Sequence, residues 1–95
     1  MMSACNEVIL TGVVKKIYPQ IVTVNKVKVE RFVLEHQSVQ EENGALRKVY
    51  CKMFCMILGN KLSDILDLTV KVYGFISANS QGQLVLHVNK IEKLN

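Results

Sequence analysis

Residues 32–53 read FVLEHQSVQEENGALRKVYCKM, and both ends of this stretch alternate with a period of two. That periodicity belongs to half-buried strands. Phe32, Leu34 and His36 fall on one face of the first arm, and Val33, Glu35 and Gln37 on the other. In the second arm Val49, Cys51 and Met53 should point inward, leaving Lys48, Tyr50 and Lys52 together on the outer face. Between the arms an acidic, polar loop is expected to turn at Asn43 and Gly44. A basic, aromatic, basic row on a sheet suits a single-stranded nucleic acid, because the ring stacks on a base while the ammonium groups meet phosphates.

Working toward the N-terminus, residues 7–18 (EVILTGVVKKIY) are apolar on both faces, with Val8, Leu10 and Val14 on one and Ile9, Val13 and Ile17 on the other. A strand wetted on one side would not read this way. Gly12 permits a sharp bend in mid-strand, which would let one long strand serve two sheets. Pro19 interrupts pairing, and 20–28 reads as an arm or hairpin around Asn25 and Lys26. Toward the C-terminus, Gly59 and Asn60 break the pattern, and LSDILDL is expected to hold a short helical or irregular insert with Ser63 as a cap. Residues 68–77 (LTVKVYGFIS) form a fourth strand with Leu68, Val70 and Val72 inward, and Tyr73 outward among apolar neighbours. The uncharged loop ANSQGQ leads to a fifth strand over 84–94. Five strands, internal glycines and a doubly apolar first strand favour an all-β, five-stranded barrel of the OB-fold type in a single domain, 1–95. In that fold strands two and three carry the oligonucleotide face.

The 95 residues suffice for one core, and at 49% hydrophobic composition disorder is not expected. A net charge of +4 favours an anionic partner. The N-terminus, MMSACNEV, does not read as a secretory signal, and no apolar run is long enough to span a membrane as a helix. Cys51 and Cys55 on one strand would lie roughly 13 Å apart, beyond disulfide reach. With Cys5 they make an odd count, which points to a reducing compartment and a cytoplasmic location. His36, His87, Cys51 and Cys55 lack the close spacing of a zinc site, and no third group orients a Cys–His pair for catalysis. Neither a cofactor nor an enzyme is expected.

The segments FVLEHQSVQEENG, YCKM, GFIS and VLH followed by IE resemble primosomal replication protein N, the PriB family, itself similar to bacterial single-stranded DNA-binding protein. The resemblance implies an OB-fold homodimer that binds single-stranded DNA without catalysis. It also implies a place in replication restart beside a PriA-type helicase and a DnaT-type primosome protein. Tyr50 stands where the family often has Trp, Gln37 where Arg is common, and the 78–83 loop lacks the family's lysines. The residues expected at the nucleic acid are therefore Tyr50, Lys48, Lys52, Arg47, Gln37, Lys16 and Lys28, with the path shifted toward strand three. Two alternatives stand beside this reading. One is a protein-interaction adaptor that touches DNA weakly. The other is an ordinary single-stranded DNA-binding protein, expected as a tetramer with a long acidic tail beyond a residue such as Asn95.

Overall fold

The computed structural model describes residues 4–59 and 64–94. Six strands make up the described chain: β1 (Val8–Ile17), β2 (Ile21–Val22), β3 (Lys28–Glu42), β4 (Ala45–Leu58), β5 (Thr69–Ala78) and β6 (Leu84–Lys93). They pair in the order β1-β5-β6-β4-β3-β2, and a further β1–β3 pairing closes the sheet into a barrel. The five long strands form the wall, and β2 is a two-residue addition against Lys28 and Val29. The expected arm is thus a small hairpin, closed by a hydrogen bond from Thr23 N to Val27 O and turned through Lys26 at φ 62°.

β1 serves two partners, as its internal glycine suggested. Val8–Val13 pair with β5, and Val13–Ile17 pair with β3. The crossing needs a residue without a side chain. A Cβ on Gly12 would overlap the carbonyl oxygen of Glu35 and sit 2.9 Å from Leu34 Cγ. The register slips between Val14 and Lys16, so Lys15 is a bulge. That extra residue corrects the expected facing of Ile17, which packs against the core instead of sharing a face with Ile9 and Val13.

β3 and β4 form one long hairpin, in unbroken register from Val29↔Leu58 to Glu42↔Ala45. The expected loop is therefore strand almost to its tip, and only Asn43 and Gly44 turn, both with positive φ (52° and 81°). Two such residues suit the tight turn whose twist matches the strands. Val39–Glu42 pair only with β4 and are exposed throughout, which is why this part of the strand resembled a loop.

The inward residues of all five long strands meet in one core. Phe32, Leu34, Val14, Val70, Val72 and Leu86 are fully buried, and Cys55, Ile57 and Val88 nearly so. The expected inward positions Val70 and Val72 are confirmed. After the undescribed residues 60–63, which include Ser63, the segment 64–68 turns without a helix, through positive φ at Asp64 and Asp67. Ile65 inserts into the core, and Asp67 N donates to Val14 O at 2.7 Å. No helix among the described residues is long and apolar enough to cross a membrane.

Candidate nucleic-acid interface

Alternation along β4 sends Lys48, Tyr50 and Lys52 to the outer face, where all three are exposed, and leaves Val49, Cys51 and Met53 half-buried on the other. Tyr50 is 54% exposed. Directly across the hairpin Gln37 faces Tyr50, Val39 faces Lys48, and Glu35 faces Lys52. A shallow hollow lined by Gln37, Ser38, Val39, Lys48, Val49 and Tyr50 follows this row. Hence Tyr50, Lys48, Lys52 and Gln37 do come together, while the carboxylate of Glu35 tempers the charge at Lys52.

The remaining expected residues divide. Lys16 sits opposite Val33, which in turn faces Phe54, so it extends the same outer face one strand further. Its ammonium lies 4.6 Å from the centre of the Tyr18 ring. Arg47 alternates to the other face of the hairpin, and its guanidinium is bound to Glu42 at 2.6 Å. Lys28 begins β3, nine residues from Gln37 and so roughly 30 Å away along an extended strand. Neither shares the Tyr50 row.

Three features escaped the sequence. Phe54, 37% exposed, continues the outer row of β4 two residues past Lys52. Continuing the period of two would have found it. Arg31 lies over Tyr18, 5.3 Å from the ring centre. Tyr73, expected among apolar neighbours, instead has Lys71 at 5.4 Å and Lys90 at 5.1 Å from its ring. Lys90 also bonds Glu92 at 3.0 Å. Hydrogen bonds from Lys90 and Tyr73 hold the Glu92 carboxyl below its ordinary range.

Both histidines have partners. His36 Nδ1 donates to Thr11 O at 2.7 Å, and His36 Nε2 accepts from the Ser38 hydroxyl at 2.7 Å. His87 stacks on Phe75 with centroids 4.9 Å apart. The cysteines are free, and burial pushes the Cys55 thiol up to about 12. Among the described residues no cluster of three or more His, Cys, Asp or Glu is placed to hold a metal ion.

Comparison with known proteins agrees with this architecture. The profile of a family described as "Another single-strand binding protein family" matches residues 6–90. The replication restart protein PriB of Proteus mirabilis is 36% identical, and that of Shigella dysenteriae 32%, each alignment covering 95% of this chain and 94% or 95% of the relative. Among solved structures, PriB from Ralstonia solanacearum superposes with a TM-score of 0.85 at 16% identity, covering 97% of this chain and all of that one. A Plasmodium falciparum single-strand binding protein, solved with single-stranded DNA, gives 0.69 at 15% identity over 100% and 99% of the two chains. The barrel closure and these relatives together establish that the chain belongs to the PriB family of OB-fold proteins, within the wider single-strand binding group.

Proposed function

We propose that this protein is a homodimeric, non-catalytic accessory of replication restart that binds single-stranded DNA on the outer face of the β3–β4 hairpin. One observation carries the reading: Lys48, Tyr50 and Lys52 lie exposed on one face with the Gln37 amide directly across from the ring. A base stacks on Tyr50, and phosphates lie against Lys48, Lys52 and, further along the same face, Lys16. Arg47 and Lys28 are left out of this contact, one by its bond to Glu42 and the other by distance. The role is read from relatives named as replication restart proteins, and a cytoplasmic location goes with that reading. In that role it would bridge a PriA-type helicase and a DnaT-type protein.

Dimerisation is supported by the edge of β1. Among the described residues, Val8, Ile9 and Leu10 pair with β5 on one side only, and Ile9 is 61% exposed. An open strand edge is a template for a second strand, and a two-fold axis there would join two barrels through identical surfaces. A solved PriB relative from Thermoanaerobacter tencongensis is described as dimeric. Titration of labelled oligo-dT at two salt concentrations tests the function, since phosphate contacts must weaken with salt. An adaptor that binds DNA weakly is favoured by Glu35 opposite Lys52 and by the uncharged 79–83 turn, and it predicts no salt-sensitive binding in that titration.

A further inference from the structure

The outer surface of β5 and β6 carries a second cluster, which the hairpin face does not use. On β5 the outward residues Lys71, Tyr73 and Phe75 alternate with inward ones and stand roughly 7 Å apart. Lys90 of β6 lies directly across from Tyr73, and His87 across from Phe75. The Lys71 and Lys90 ammonium groups are 5.4 and 5.1 Å from the centre of the Tyr73 ring. The negative face of the ring attracts both cations and narrows the positions they sample. Glu92 adds to the restraint, since its carboxylate accepts from Lys90 at 3.0 Å and from the Tyr73 hydroxyl. An ammonium has three protons to donate, so Lys90 keeps donors to spare. Lys71 makes no ion pair among the described residues.

Where this row ends, the surface dips. Met56 and Leu58 of β4, Phe75 of β5 and His87 of β6 line a hollow of about 280 Å³. Met56 pairs with His87, and the Phe75 ring stacks on the His87 ring with centroids 4.9 Å apart, so the floor is fixed. Leu58 and Phe75 are exposed, which leaves apolar surface in water beside two restrained cations. A second copy suits this face poorly, because two-fold pairing would gather four lysines about two carboxylates.

We propose that this face docks an extended acidic segment of a partner protein, with carboxylates at alternate positions over Lys71 and Lys90 and an aliphatic side chain two residues further on, in the hollow beside Phe75. The interval follows from the row itself, since an extended peptide repeats its facing side chains at the same spacing of roughly 7 Å. Carboxylates meet ammonium groups that are already held in place, so little side-chain freedom is lost on binding. The aliphatic group displaces water from Met56, Leu58 and Phe75. Because β5 pairs with β1 and β6 and with neither strand of the hairpin, the segment and a ligand on the β3–β4 face can be held together. Docking here does not depend on what the hairpin face binds.

The test titrates the peptide Glu-Ala-Glu-Ala-Leu, capped at both ends, into the whole ¹⁵N-labelled chain and follows amide shifts by NMR. Shifts should centre on Lys71, Tyr73, Phe75, His87 and Lys90. Replacing both glutamates of the peptide by glutamine, or substituting Lys71→Ala and Lys90→Ala together, should weaken binding about tenfold. Leu58→Ser should weaken it as well, and oligo-dT should not displace the peptide. Wild type without shifts at these residues, or a glutamine peptide that binds as tightly, would show that the face is no such docking site. Shifts confined to Lys48, Tyr50 and Lys52, with displacement by oligo-dT, would put the acidic segment on the hairpin instead. If the double lysine substitution weakens oligo-dT binding and the peptide is ignored, the face belongs to nucleic acid. A mass above two chains that the same substitution lowers would give it to a second copy.

Discussion

Replacing Gly74 by alanine should unsettle the barrel more than its size suggests. Gly74 pairs with Val88 where the register of β5 against β6 slips and Asn89 is left over. The two strands approach so closely there that an added Cβ would overlap the carbonyl oxygen of His87. It would also stand 2.8 Å from the His87 carbonyl carbon and 3.1 Å from Val88 Cα. All three contacts are backbone, so no rotamer change relieves them and the strands must part. Overpacking typically costs about 1 to 3 kcal/mol, and a disturbed ladder hydrogen bond adds about 1 kcal/mol. A total near 3 kcal/mol would lower the midpoint of thermal unfolding by about 12 to 24 °C in a domain of this size. Gly44→Ala is the control. Gly44 has φ 81°, and a methyl group added there would meet no described atom within 4 Å, so its substitution carries only the conformational penalty, about 1 kcal/mol. Thermal melts followed by circular dichroism decide the matter. Should Gly74→Ala melt no lower than Gly44→Ala, the close approach of β5 and β6 is not the reason for that glycine.

Other expectations follow from the same geometry. Tyr50→Ala should weaken oligo-dT binding by about 1 to 3 kcal/mol with the fold intact, checked by anisotropy beside a melting curve. Burial raises the Cys55 thiol pKa from 9.0 to about 12, so the unfolded chain releases this proton first as pH rises. The contribution of Cys55 to stability should thus be complete below pH 9 and fall between pH 9 and about 12, whereas Cys55→Ala unfolding should lack that component. Light scattering should give twice the 10.7 kDa chain mass, and Ile9→Lys, which puts a charge on the exposed, one-sided edge of β1, should return it toward one chain.

Much of the fold was legible because burial writes itself into alternation. Phe32, Leu34, Val70 and Val72 face a dry interior, while Arg31, Glu35, Thr69 and Lys71 between and beside them are polar and only half-buried, so a period of two survives in the sequence although Val33 is buried as well. Gly12 was legible as a bend and the internal glycines as a mark of closure, while the close strand approaches that exclude a side chain at Gly12 and Gly74 came only with the structure. The tip of the hairpin was not legible, since Val39–Glu42 are exposed throughout and no pattern separates such a strand from a loop. The facing of Ile17 was lost to the Lys15 bulge, which shifts phase without marking the residue types. Within the candidate site, the Lys48, Tyr50 and Lys52 row is local to one strand and was read directly. Phe54 continues that row by the same period, and Lys71 lies two residues before Tyr73 on β5, whereas Arg31 beside Tyr18 and Lys90 beside Tyr73 depend on which strand lies beside which, and cross-strand register has no signature in one chain. That Arg47 lies off this row has a related reason: adjacency in sequence puts it next to Lys48, and the pleat puts it on the opposite face.

The salt dependence of oligo-dT binding by the intact protein tests the central claim most directly. If Lys48, Lys52 and Lys16 each neutralise one phosphate, the logarithm of the binding constant should fall against the logarithm of salt concentration with a slope of about −2 per bound strand. Replacing Lys48 and Lys52 together by alanine should flatten it to about −0.7. A wild-type slope near zero, or one that the double substitution leaves unchanged, would contradict the assignment of this hairpin face to single-stranded DNA.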